Sequence, residues 1–156
     1  MSTPERRQPQ AVDRRRVPRG GRRTDDQPGR HPNLLVADGY LGARTPCVRY
    51  LDRFGFAVDQ AGDANEALAI IDAKAPNLIL LAADLPEMAG WGMVRRLKEQ
   101  PHTRSIPIIF MASDLDRDRM RSPDLPLAGV LVKPFALSTM LHEIRRVLRA
   151  QMTAAS

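Results

Sequence analysis

The sequence predicts an α/β fold: a doubly wound, five-stranded parallel sheet preceded by a disordered arm. Three observations predict it. Short apolar runs alternate five times with segments of helical periodicity between residues 33 and 150, the pattern that forces parallel strands and crossover helices. The composition is 43% hydrophobic but only 4% aromatic, which supplies a core of Leu, Ile, Val, Ala and Met. The character of the chain also changes abruptly at Asn33.

Asn33-Leu34-Leu35-Val36-Ala37 is apolar throughout and reads as a strand buried on both faces. After a loop through Gly39 and Gly42, Thr45-Pro46 reads as the N-cap and first residue of a helix. Val48, Leu51 and Phe54 give that helix its apolar face, and Gly55 suits its C-terminal left-handed position. Residues 56–59 are the second strand. Asp63 and Glu66 form a capping box for a helix that Pro76 terminates. Residues 78–82, the most apolar run, are the central strand, and a helix covers residues 93–99. The fourth strand is 106–111. Pro123 and Pro126 interrupt the charged 114–126 segment, so a full helix is not expected there. Residues 130–132 form a short fifth strand. Leu137, Leu141, Ile144 and Leu148 mark a last amphipathic helix with Arg145, Arg146 and Arg149 on its wet side. A disordered C-terminus at 151–156 is expected.

Residues 1–32 hold nine arginines against four acids, a charge of +5, whereas the remainder of the chain carries only +1. Their large apolar side chains are few, so this segment reads as a disordered, Arg-rich tail. The single cysteine, Cys47, excludes an intrachain disulfide and reads as a small buried residue. No apolar run approaches the ~20 residues of a membrane span, and the N-terminus lacks the apolar stretch of a secretory signal. A cytoplasmic protein without membrane contact is expected. His31, His102 and His142 share no metal-ligand spacing.

Ligands of doubly wound folds sit beyond the carboxyl ends of the strands. That directs attention to Asp38, to 82–84, to Ala112-Ser113 and to Lys133-Pro134. The runs Leu34-Leu35-Val36-Ala37-Asp38, Pro76 to Leu81 followed by Leu85-Pro86-Glu87-Met88-Ala89-Gly90, Ile106-Pro107-Ile108-Ile109, and Leu131-Val132-Lys133-Pro134-Phe135 occur in the order and spacing of response-regulator receiver (CheY-like) domains, which the chain resembles over residues 33–150. The resemblance implies a flavodoxin-like sheet of receiver type. It also implies a site where carboxylates hold Mg²⁺ while an aspartate accepts a phosphoryl group, a lysine pairs with it, and a hydroxyl and an aromatic report it.

Carried over residue by residue, the resemblance places Asp38 and Gly39 at the acidic pair. It places Ala82 at the phosphoacceptor, Ala112 at the hydroxyl, Val130 at the aromatic switch, and Lys133-Pro134 at the lysine and its typically cis proline. Gly39, Ala82, Ala112 and Val130 are therefore lost family positions. The residual pocket is Asp38, Asp84, Lys133 and Pro134. Asp84 either joins Asp38 in the pocket, as a weak cation ligand or off-register phosphoacceptor, or merely solvates its loop while Asp38 pairs with Lys133. No catalytic residue and no bound Mg²⁺ are expected.

Three functions follow as expectations. The first is a stand-alone pseudo-receiver in bacterial two-component or phosphorelay signalling. It is not an enzyme and docks a histidine kinase or output protein without phosphorylation, with nothing fused after residue 150. The family commonly docks through its fourth helix, fifth strand and fifth helix. The second is a nucleic-acid or polyanion binder acting through Arg14, Arg15, Arg16, Arg19, Arg22 and Arg23, whose domain serves as a homodimer body. The third is a receiver phosphorylated at Asp84. Trp91 reads as packing over the pocket loop.

Overall fold

The computed structural model describes residues 32–113 and 126–155. The N-terminal tail and residues 114–125, where no full helix is expected, lie outside the described residues. Five parallel strands stand in the order β2-β1-β3-β4-β5. They are β1 (Asn33–Ala37), β2 (Ala57–Ala61), β3 (Leu78–Ala82), β4 (Ile108–Ala112) and β5 (Gly129–Val132). The described helices are α1 (Leu41–Arg53), α2 (Ala64–Ala73), α3 (Gly90–Glu99) and α4 (Leu137–Ala155).

Alternation along the strands divides the core into two layers. Leu34, Val36, Leu78, Leu80 and Ala82 face α1 and α4, meeting Cys47, Leu51, Met140, Ile144 and Val147. Leu35, Ala37, Ile79, Leu81 and Phe110 face α2 and α3, meeting Ala67, Ile71, Met93, Val94 and Leu97. β1, β3 and β4 are buried along their whole length, which is why they read as unbroken apolar runs. Strand order reverses between β1 and β3, whose carboxyl ends therefore open the crevice in which such folds bind ligands.

Several boundaries differ from expectation. α1 starts at Leu41, and Pro46 sits inside the helix instead of at its start. The helix is anchored from its own front: Tyr40 N–H donates to Asp38 Oδ1 at 3.0 Å, and Arg44 reaches back to the Asp38 carbonyl at 2.7 Å. Pro46 is exposed and costs one intrahelical bond near that end. β2 spans 57–61, not 56–59, because an edge strand with mostly exposed side chains takes its limits from pairing with β1, Asn33↔Ala57 through Ala37↔Ala61. β4 begins two residues later than expected and ends one later.

α3 begins at Gly90, where any Cβ would lie 2.6 Å from the Ala82 carbonyl; the glycine lets the helix start against the strand end. Asp63 caps α2 as expected, accepting from Glu66 N–H at 2.8 Å, but the Glu66 carboxylate accepts from Gly62 N–H, one residue outside the box. The expected disordered end at 151–156 is corrected: α4 continues through Ala155, drawn on by good helix formers and a Thr153 hydroxyl bond to the Arg149 carbonyl.

Candidate functional site

The crevice beyond β1 and β3 contains one buried charge. Asp38 follows β1 directly, and its side chain is 3% exposed. Its Oδ2 accepts from Lys133 Nζ at 2.7 Å, and its Oδ1 accepts the Tyr40 amide. Lys133 arrives from the end of β5, held by its own amide donating to the Ala112 carbonyl at 2.7 Å, and its peptide bond to Pro134 is cis. Of the four expected pocket residues, the structure thus brings together Asp38, Lys133 and Pro134.

Asp84 is a correction. Ala83 turns inward and extends the β3–β4 ladder, its amide donating to the Met111 carbonyl, so Asp84 is directed outward. It is exposed and meets neither Asp38 nor Lys133. Ala82 ends the central strand fully buried, opposite Met111, with its methyl in the α1–α4 layer. Ala112 and Val130 pack in the opposite layer, with Phe110. Ser113 follows β4 and is exposed.

Gly39 is the position whose consequence sequence reasoning missed. A Cβ built there would fall 2.5 Å from Pro86 Cδ and 2.6 Å from Pro86 Cγ. The β3–α3 loop therefore lies directly on the Gly39 backbone. Two bonds to the front of α2 hold the loop there: Ala64 N–H donates to the Pro86 carbonyl at 3.0 Å, and Asn65 N–H to Glu87 Oε1 at 3.4 Å. Glu87 takes a left-handed conformation, φ 74°, to make this turn. Arg44 was also missed. It ties α1 to β2 through Gln60 at 2.9 Å as well as to Asp38, and no local sequence signal marks it.

Beside the Asp38–Lys133 pair lies Cys47, buried and reduced. Burial pushes its thiol above the ordinary value; the Asp38 charge adds to this and the Lys133 charge opposes it. A groove of about 540 Å³ runs past this point, lined by Tyr40, Pro46, Cys47, Pro134, Phe135 and Leu137. Trp91 is half-buried with its ring 4.5 Å from Phe110, which makes it a packing residue of the α3 layer. His102 and His142 are exposed. No described helix is long and apolar enough to cross a membrane. The tail arginines Arg14, Arg15, Arg16, Arg19, Arg22 and Arg23 lie outside the described residues.

With that geometry established, comparison places the chain among known proteins. The response regulator receiver domain family matches residues 34–145. The chain is 32% identical over 117 residues to the probable transcriptional regulator ycf27 of Cyanophora paradoxa, covering 74% of this chain and 48% of that protein. It is 31% identical over 119 residues to the DNA-binding dual master transcriptional regulator RpaA of Synechocystis, covering 76% and 49%. The chain thus spans about half the length of the curated relatives it matches. Among solved structures, the chemotaxis response regulator CheY4 of Vibrio cholerae superposes with a TM-score of 0.70 at 25% identity, covering 75% of this chain and 98% of that one.

Proposed function

This chain belongs to the response regulator receiver family of two-component signalling, and on that premise we propose that it is a pseudo-receiver that works by docking a protein partner without being phosphorylated. One observation carries the reading: where the family places its phosphoacceptor, the end of the central strand holds a buried alanine methyl, Ala82. A methyl group offers no nucleophile to a phosphoryl donor. The family's hydroxyl and aromatic positions, Ala112 and Val130, are packed into the α2–α3 layer and offer no polar group to relay a signal.

The donor set does not fit Mg²⁺. A hard cation asks for several oxygens at once, whereas Asp38 is the one buried carboxylate among the described residues, and each of its oxygens already accepts a hydrogen bond, from Lys133 and from the Tyr40 amide. Gly39 supplies no carboxylate, and Pro86 occupies the space where one would begin. Lys133 neutralises the only buried carboxylate among the described residues. This favours one resting arrangement of the pocket over a switch between two. The partner follows from the family: a histidine kinase or an output protein. DNA binding belongs to RpaA by its name and does not transfer across a match that covers half of that protein.

The test is intact-mass spectrometry after incubating the full chain with acetyl phosphate and Mg²⁺. We expect no phosphoryl adduct at any magnesium concentration. An adduct that disappears in Asp84→Ala would replace this reading with an off-register receiver.

A further inference from the structure

The 540 Å³ groove beside the Asp38–Lys133 pair is walled by two short stretches of chain, residues 40–47 at the front of α1 and residues 133–137 leading from β5 into α4. Its volume lies within the range of small-molecule clefts, about 300–1,000 Å³. The floor is recessed: Cys47, on the second turn of α1, is 5% exposed and still lines the groove. Burial pushes that thiol above its ordinary value, so it stays protonated and presents a soft, uncharged surface. Pro46, Pro134 and Leu137 make the lining around it largely apolar.

Two aromatic rings border the groove. A Cβ on Gly42 would fall 2.9 Å from Tyr40 Cζ, so the Tyr40 ring lies on the Gly42 backbone and extends the wall outward, 71% exposed. Phe135 lines the groove from the other stretch, half-buried against the α1–α4 layer. Among the described residues that line it, Lys133 carries the one charge. The Lys133 side chain is 31% exposed, while that of Asp38 is 3% exposed and lies outside the lining. The ion pair therefore turns its ammonium to the groove and keeps its carboxylate behind. Asp38 takes one of the three donors of that ammonium, and an acceptor oxygen in the groove can take another.

We propose that this groove binds a small aromatic carboxylate, its ring between Tyr40 and Phe135 above Cys47 and its carboxylate on the Lys133 ammonium. Charge complementarity selects the acid, because the described lining offers a cation and no anion. The two rings select an aromatic body, since edge-on and offset contacts between rings add to plain burial. A cationic amphiphile would meet the Lys133 charge instead. The inference goes beyond the docking reading above and depends neither on it nor on whether the chain accepts a phosphoryl group.

The test is a titration of the full, ¹⁵N-labelled chain with 2-naphthoate at pH 7, followed by amide chemical shifts, with 2-naphthylmethylammonium as the comparison of opposite charge. We expect saturable shifts centred on the amides of Gly42, Ala43, Cys47, Lys133 and Phe135, with a dissociation constant at or below about 1 mM. The cation should bind at least about tenfold more weakly. Ala43→Phe places a ring in the groove and should abolish the naphthoate shifts; its own amide dispersion shows whether it folds. If it does not fold, Phe135→Ala takes its place and should weaken binding several-fold. No saturable shift, shifts centred elsewhere, equal affinity for the cation, or unchanged affinity in the variant would each overturn the proposal. So would shifts of the same amides on raising the chain concentration without naphthoate, which would assign the groove to a second copy. Failure here leaves the mass-spectrometric test unaffected, so the two readings fall separately.

Discussion

Replacing Lys133 with methionine isolates the energetics of the pocket. The change keeps most of the side chain's apolar stem and deletes the ammonium. Asp38 would then be a carboxylate with a 3% exposed side chain and one remaining neutral donor, the Tyr40 amide at 3.0 Å. Breaking a fully buried ion pair from one side costs about 3–5 kcal/mol, because the abandoned charge stays desolvated. Lys133 is itself 31% exposed, so water reaches part of the vacated space; the expected cost is then about 2–4 kcal/mol. In a domain of this size that lowers the melting temperature by roughly 8–15 °C.

The opposite deletion is cheaper. After Asp38→Ala, the Lys133 ammonium can swing into solvent, and the loss is about 1–2 kcal/mol, largely the bond to the Tyr40 amide. The double variant removes the stranded charge and should be more stable than Lys133→Met alone. Urea unfolding followed by circular dichroism at pH 7 measures all three, and an unchanged slope certifies a common unfolded state. The reasoning fails if Lys133→Met lies within about 0.5 kcal/mol of the parent, or if Asp38→Ala proves the costlier change.

Three further predictions concern the surroundings. Gly39→Ala drives a methyl against Pro86 and should cost about 1–3 kcal/mol; Pro86→Ala, which removes the opposing ring atoms, should recover much of that, and a purely additive double variant would refute the contact. Asp63→Ala removes the α2 cap and should cost about 1 kcal/mol, read from the urea midpoint. Because burial raises the Cys47 thiol above its ordinary value, the folded chain keeps a proton that the unfolded chain releases. That stability is fully present below the ordinary thiol value and is lost as pH rises through the raised one. The stability of the parent relative to Cys47→Ala should therefore fall between neutral and alkaline pH; a constant difference would contradict the burial argument.

What the sequence made legible follows from where each element finds its partners. β1 and β3 read correctly to the residue because burial on both faces leaves an uninterrupted apolar signature. β2 blurred because its limits come from pairing with a strand distant in sequence, not from its own side chains. α1 was misplaced because Thr45-Pro46 carries a strong local start signal, while the real anchors, Asp38 and Arg44, act through loop and tertiary bonds. Within the site, the positions of Asp38 and Lys133 followed from strand ends and family spacing, and their pairing was one of two alternatives. The outward direction of Asp84 was the other half of that same alternative, and it stayed open because the inward turn of Ala83 is a backbone property with no residue signature. The contact of Pro86 with Gly39 unites a glycine and a proline that look like ordinary loop residues.

That contact gives the chain a direction in sequence space. Changing residue 39 from glycine to a larger residue collides with Pro86, and shifting the loop disturbs its bonds to the front of α2 and the unusual backbone of Glu87. Each half of a change to a two-carboxylate pocket is therefore penalised until the other is in place. Through ordinary single substitutions the present arrangement behaves as a ratchet: easy to drift within, and difficult to leave by the route that leads to a metal.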